Sequence, residues 1–258
     1  MHMIQLIIRA DDVGYSEAVN CGIAKSVKDG LIRSVGLMPN MPSAAHGLKL
    51  LEGCGIAIGQ HTNVCIGKPC ADPSLIPSML DENGEFLSSK AHRQAYKEGK
   101  DLVHMDEAVI EVEAQYLRFR ELTGRDPDYF EAHAIASDNL GKALAVVAEK
   151  YHLPFNDCNP MKPVGTFRGK PVNNLPMRSM SPDYDPFATL KDDVLHHARE
   201  DMVNVFVCHP GYLDDYLLHH SSLTVNRTKE AAMLCDPAVK EWLDAHGVQL
   251  ITYAQANL

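Results

Sequence analysis

The sequence predicts an α/β fold, an irregular (β/α) barrel with mainly parallel strands, and three observations carry that expectation. Short apolar runs alternate with helix-period segments along all 258 residues, the pattern of βα units joined by right-handed crossovers. About seven strand candidates fall in that length, which favours a closed barrel over an open doubly wound sheet, the main competitor. A G-x-G-x-x-G turn after the first strand, which a dinucleotide-binding open sheet would carry, is absent from the sequence.

The first strand is the apolar run Leu6-Ile7-Ile8, continuing through Arg9 and Ala10 into Asp11-Asp12. Successive side chains of a regular strand face opposite sides. The two aspartates therefore converge only if the chain leaves strand geometry beside them, and Gly14 permits a turn there. Carboxylates at a strand's carboxyl end are where α/β enzymes place catalytic and metal-binding groups. The structural alternative is a helix cap made by Asp11, Asp12 or Ser16. The spacing of Val19, Ile23, Ala24 and Val27 predicts a helix over 17–28, closed by Gly30. Residues 32–37 read as a second strand, 43–51 as a second helix ending near Gly53 and Gly55, and 55–60 as a third strand running into His61.

The Pro- and Gly-rich stretch 65–89 is expected to form a lid or substrate-binding excursion. A helix over 106–122 carries Val109, Ile110, Val112, Leu117 and Phe119 and stops before Gly124. Tyr129 and Phe130 then lead into Glu131-Ala132-His133. A helix at 140–151 follows, then a Pro-rich section over 154–186 with no assigned structure, and a helix at 194–202. A strand at 204–208 delivers His209-Pro210-Gly211. Helices at 227–234 and 238–246 and a strand at 248–253 complete the pattern. No internal repeat or linker divides the chain, so one domain over 1–258 is expected.

Composition excludes several function classes. With 34 acidic against 24 basic residues the formal charge is −10, and no Lys/Arg-rich run offsets it. Such a surface repels phosphate backbones, so nucleic acid is not an expected partner. No apolar stretch approaches the roughly 18–20 residues that span a bilayer, and the basic, apolar and small-residue order of a signal peptide is missing. No membrane partner is expected. The seven cysteines, Cys21, Cys54, Cys65, Cys70, Cys158, Cys208 and Cys235, are odd in number and form no C-x-x-C pair. Free thiols in a reducing cytoplasm fit that usage. Cys208 stands beside His209 as a nucleophile would, but the apolar run Val205-Phe206-Val207 predicts a buried, inert thiol.

Four strand candidates finish in ionisable residues: Asp11-Asp12, His61, Glu131 with His133, and His209. Parallel strands share their carboxyl edge, so these residues are expected on one rim. A single histidine at a strand end is more often structural; the convergence of four polar ends carries the inference. One carboxylate with two imidazoles makes a common three-ligand metal set with open positions, and leaves the other carboxylate free as a base. His196 and His197 fall inside a helical stretch, and His92, His104, His152 and His246 in polar or helix-end contexts. His219 and His220 read as a solvated pair.

These motifs resemble a known family. Ala10-Asp11-Asp12-Val13-Gly14, with Asn20-Cys21-Gly22-Ile23 behind it, is similar to the opening of the YdjC-like carbohydrate deacetylases, or chitooligosaccharide deacetylases. Arg33-Ser34-Val35-Gly36-Leu37-Met38-Pro39-Asn40, Gly59-Gln60-His61-Thr62-Asn63 and Gly84-Glu85-Phe86 follow in family order. Residues 111–115 ahead of Gly124, Cys208-His209-Pro210-Gly211-Tyr212, and Arg227 with Glu230 extend the likeness over essentially the whole chain. The resemblance implies a distorted barrel related to the polysaccharide-deacetylase barrel, removing acetyl groups from N-acetylated sugars or short chitooligosaccharides with one divalent metal. It further implies Asp12, His61 and His133 as metal ligands and Asp11 as general base. The family's third motif usually reads H-x-D-S-H-x-H, whereas this chain has Tyr129-Phe130-Glu131-Ala132-His133-Ala134-Ile135. Glu131 stands where Asp is usual, and His133 is the one histidine left. Arg9 and Val13 replace the usual Asn and Phe.

An Asp-His-His set suits zinc, and magnesium, manganese or cobalt fit a site with several waters. The expected chemistry is hydrolysis of a linear amide, with Asp11 taking the proton of a metal-activated water. His209, with a pKa near neutrality, is expected to protonate the departing amine; its structural alternative is a turn residue fixed by Pro210 and Gly211. Two competing readings stay open: a metal-dependent hydrolase of another amide, ester or phosphoester, and a non-catalytic carbohydrate-binding relative. The expected partner is a small carbohydrate, in the cytoplasm. A homodimer is compatible with such a barrel, although no stripe in the sequence specifies it.

Overall fold

Leu6, Ile8 and Ala10 on one side of the first strand, and Ile7 on the other, are all buried. A strand packed on both faces is what the centre of a parallel sheet requires. The computed structural model describes residues 3–157 and 163–256. In chain order these form β1 (Ile4–Val13), α1 (Glu17–Lys28), β2 (Ser34–Leu37), α2 (Ala44–Leu50), β3 (Ala57–Thr62), α3 (Ser89–Lys97), α4 (Met105–Thr123), β4 (Phe130–Ala132) and α5 (Asp138–Tyr151). Then follow β5 (Asn156–Asp157), β6 (Val164–Phe167), β7 (Lys170–Asn174), α6 (Pro186–His196), β8 (Val203–Cys208), α7 (Asp215–His220), α8 (Val225–Leu234), α9 (Pro237–Ala245) and β9 (Val248–Leu250).

The strands form one sheet in the order β4-β3-β2-β1-β8-β7-β6-β5, with β9 also paired to β1. Pairs among β1, β2, β3, β4, β7, β8 and β9 are parallel; β5-β6 and β6-β7 are antiparallel. An isolated bridge between Phe130 and Phe155 joins the two ends of the order. The sheet thereby nearly closes into a barrel. β9 pairs with Ile4 to Leu6 and β2 with the later part of β1, so two short strands share one edge.

Helices cover the outside. Leu6, Ile8, Val19, Ile23, Val27, Leu190, Leu234 and Leu243 belong to one buried cluster between sheet and helices. A second cluster packs α4 and α5 against the stretch after β3 through Val64, Ile76, Met79, Phe86, Val112 and Leu144. Inside the barrel Ile7, Val203, Val205, Phe167, Tyr129 and Tyr253 form a third. The inward face of β1 reads Ile7, Arg9, Asp11, so the interior changes from apolar to charged towards the carboxyl end. No helix among the described residues is long and apolar enough to cross a membrane.

Most helix positions match the sequence reading, and the differences have local causes. The helix expected at 194–202 is α6, at Pro186–His196. Asp185 accepts from the Phe187 and Ala188 N–H groups and Pro186 occupies the first turn, so this proline starts a helix instead of ending a loop. The section without assigned structure holds the β5-β6-β7 strands, whose alternation is too short to read. The strand expected at 248–253 ends at Leu250. α3 and α7 are additional, capped by Ser88 and Asp214, and His219 and His220 lie exposed on α7. His92, placed in a polar context by sequence, is buried in α3. Cys208 is fully buried as expected; Cys158 lies outside the described residues.

Candidate active site

The site begins with an irregularity in β1. Its pairing with β2 runs Arg9 to Ser34 and Ala10 to Val35, then skips to Val13 and Leu37. Such a bulge re-aims side chains. Asp12 sits at its centre with a φ of 77°, a left-handed conformation that costs a non-glycine residue about 1–2 kcal/mol. The departure from strand geometry is therefore at Asp12 itself, inside the strand, and Gly14 follows at φ 101°. Neither aspartate caps the next helix; Ser16 does, accepting from the Val19 N–H at 3.3 Å.

His61 and Glu131 are paired residues in the β3-β4 ladder, so their side chains share one face. His61 Nδ1 lies 2.5 Å from Glu131 Oε1. In the neutral imidazole, with the Nδ1 proton donated to the carboxylate, Nε2 carries the lone pair that a metal would take. His61 Nε2 is 3.5 Å from Asp12 Oδ1 and 3.8 Å from Asp11 Oδ2. His133, just past β4, places Nδ1 3.2 Å from Asp12 Oδ1 and 2.9 Å from His61 Nε2. Gly36 on β2 makes the room: a Cβ there would stand 3.0 Å from both Asp11 Oδ1 and His61 Cβ.

Two arginines balance the carboxylates. Arg9 Nη2 donates to Asp11 Oδ2 at 2.7 Å and lies 3.0 Å from Glu131 Oε2. Arg227 Nη2 donates to Asp12 Oδ2 at 2.7 Å. Burial opposes ionisation of Asp12, yet Arg227 and then His133 hold its carboxyl well below the usual range. Burial likewise opposes the imidazolium forms, but Asp11 and Glu131 raise His61 to about 10, and Asp12 raises His133 to about 9. A negative field that draws protons onto two buried imidazoles would also draw a cation.

The residues present fit a divalent metal on independent grounds. Asp12 Oδ1 is buried, is left untouched by Arg227, and faces both imidazoles. Ligand atoms of Asp12, His61 and His133 all lie within 4.8 Å of one another, and one oxygen with two imidazole nitrogens is a donor set that zinc accepts. Asp11, His61 and Glu131 form an overlapping group by the same measure. Asp192, Asp193 and His197 form another, but Arg178 already pairs with both of those aspartates.

His209 follows β8 onto the same rim. Its backbone is pinned from two sides: the N–H donates to Glu230 Oε2 at 2.5 Å, and the carbonyl accepts from Arg227 Nη1 at 3.4 Å. Tyr184 donates to the other Glu230 oxygen at 2.8 Å. The expectation of a near-neutral pKa for His209 is not met, because burial pushes the imidazole down to about 4. Sequence reasoning missed Arg9, Arg227, Glu230 and Tyr184 as parts of the site. Arg227 and Glu230 stand one helical turn apart in α8, a pairing that only the fold connects to Asp12 and His209.

The stretch over 65–89 is tied down rather than loose. Glu111 accepts from the Cys70 and Ala71 N–H groups, and Asn63 donates to the Ile66 carbonyl. A surface groove of about 580 Å³ lies at the opposite end of β3, among Leu48, Leu51, Ile56 and Leu122, away from the site.

Comparison with known proteins places this rim in context. The model of the YdjC-like protein family matches residues 5–245. A carbohydrate deacetylase of Geobacillus stearothermophilus is 33% identical over 96% of each chain. Carbohydrate deacetylase 2 of Listeria innocua is 28% identical over 97% of this chain and 98% of its own. Among solved structures, an Enterococcus faecalis protein described as a candidate for cellobiose-phosphate cleavage superposes with a TM-score of 0.78 at 24% identity, covering 97% of this chain and 98% of its own. A family 4 acetyl xylan esterase of Clostridium thermocellum, solved with a cobalt ion, shares the fold at a TM-score of 0.51 and 11% identity, over 96% and 87% of the two chains.

Proposed function

The chain belongs to the YdjC-like family, and from that premise we propose that it is a metal-dependent carbohydrate deacetylase acting on N-acetylated sugars or short chitooligosaccharides. The observation that carries the reading is the buried Asp12 Oδ1, which Arg227 leaves untouched and which faces His61 Nε2 at 3.5 Å and His133 Nδ1 at 3.2 Å. A divalent ion held by Asp12, His61 and His133 would acidify a water and polarise the acetamide carbonyl.

The chain's own residues supply the proton transfers. Asp11 projects beside the ligand set and serves as the base that takes the water proton. Glu131 keeps His61 in the tautomer with Nε2 free. His209, on the same rim, would protonate the leaving nitrogen. With a pKa of about 4 it is neutral before reaction, so its proton arrives during turnover, relayed from the water that Asp11 deprotonates. Glu230 and Arg227 hold the His209 backbone in place for that step.

The alternative of a phosphoester substrate is disfavoured by charge. Arg9 and Arg227, the cations in contact with the Asp pair, are already committed to Asp11, Glu131 and Asp12. The test is acetate release from N-acetylglucosamine and chitin oligomers by metal-stripped protein given zinc, magnesium, manganese or cobalt, with Asp11→Asn as control. Metal-dependent acetate from the wild type and none from the variant is the expected result. Metal binding with no acetate from any of these sugars would overturn the substrate assignment.

A further inference from the structure

The neighbouring carboxylates Asp11 and Asp12 reach the same rim, yet they are held differently. Asp11 lies side by side with Arg9: Nε is 2.7 Å from Oδ1 and Nη2 donates to Oδ2 at 2.7 Å. Arg9 is buried, packs against the Tyr129 ring and donates from Nη1 to the Tyr253 hydroxyl at 3.2 Å. Asp12 is gripped by one oxygen only. Arg227 takes Oδ2 and leaves Oδ1 facing the imidazoles. Arg227 is fixed in turn by the Leu223 carbonyl at 2.9 Å and by the ring of Tyr15.

The same rim offers two overlapping ligand sets, Asp12-His61-His133 and Asp11-His61-Glu131. Arg9 contacts both carboxylates of the second set. A guanidinium stays charged in any protein environment and matches a carboxylate edge to edge, so a cation cannot take that set without displacing it.

We propose that Arg9 and Arg227 divide the work of the aspartate pair: Arg9 keeps Asp11 and Glu131 out of the ligand set and leaves Asp11 as proton acceptor, while Arg227 turns Asp12 so that Oδ1 alone meets the metal. Both are positioning residues. The inference rests on the metal-centre reading above and adds how one of two adjacent carboxylates is chosen.

Zinc affinity of the stripped protein, measured by calorimetry, tests the division because only the Arg227 substitution should weaken it. Arg227→Gln should weaken zinc by about 10–100-fold. Arg9→Gln should bind zinc as tightly as the wild type or more so, lose turnover, and lose any gain in affinity when Asp11→Asn is added. If both arginine variants weaken zinc alike, the arginines are scaffold only. If both tighten it, simple removal of positive charge explains the site, and either result overturns the proposal. Arg9→Lys, which keeps the charge but not the paired geometry, serves if Arg9→Gln does not fold. The single Asp11→Asn variant should leave zinc affinity unchanged, and a loss there would make Asp11 a ligand and refute the division. A wild type that binds no divalent ion would instead sink the metal-centre reading, and the inference with it.

Discussion

His61 and Glu131 face each other across the β3-β4 ladder, Nδ1 to Oε1 at 2.5 Å, and that contact decides which imidazole nitrogen is left for the rim. Removing it should matter more than the loss of one hydrogen bond. Glu131→Ala is expected to weaken metal binding by about 10–100-fold, and Glu131→Gln, which retains an acceptor oxygen, by less. Metal titration of the two variants checks the order.

Gly36 leaves the space that Asp11 and His61 occupy. A methyl group there meets Asp11 Oδ1 and His61 Cβ at 3.0 Å, and both residues belong to the proposed machinery. Gly36→Ala should therefore lower turnover by about 10–100-fold through misplacement of these groups, with the fold retained by circular dichroism.

α1 rests directly on the loop that follows His209. A Cβ on Gly22 would stand 2.5 Å from the Gly211 Cα, and neither backbone can yield without moving His209 or the helix. Gly22→Ala is expected to destabilise the protein by about 1–3 kcal/mol, read as a lowered Tm, and to reduce activity alongside.

Glu230 gives a pH-dependent contribution to stability. Burial pushes its carboxyl up to about 7, against the His209 N–H and the Tyr184 hydroxyl that favour ionisation. An unfolded glutamate titrates near ~4.3. Between those values the folded state keeps a proton that the unfolded chain releases, so this contribution to stability falls as pH rises from about 4 to 7. The expected size is on the order of 3 kcal/mol. Chemical denaturation at the two ends of that window should show a smaller decline for Glu230→Gln than for the wild type.

Much of this architecture was legible in the sequence because it is local. Apolar runs ending in Asp11-Asp12, His61, His133 and His209 marked the strands, and parallel pairing then required their ends to share a rim. What stayed hidden depends on distant pairings or on single backbone angles. Arg227 and Asp12 are 215 positions apart, and no spacing rule joins them. Arg9 read as a substitution in a motif; its partnership with Glu131, another departure from the family pattern, emerges only when β1 and β4 enclose the same interior. The two changes stand in contact at 3.0 Å, which explains why Glu131 here is both a histidine partner and an arginine partner. The positive φ of Asp12 had no sequence signal, since glycine was the residue expected to turn the chain.

In the proposed site Asp12, His61 and His133 form the metal centre while Asp11 stays outside it. Anomalous diffraction from crystals grown with zinc tests this most directly. One peak bonded to Asp12 Oδ1, His61 Nε2 and His133 Nδ1 is expected, with Asp11 still paired to Arg9. A peak bonded to Asp11 and Glu131 with Arg9 displaced, or full zinc occupancy at neither set, would contradict it.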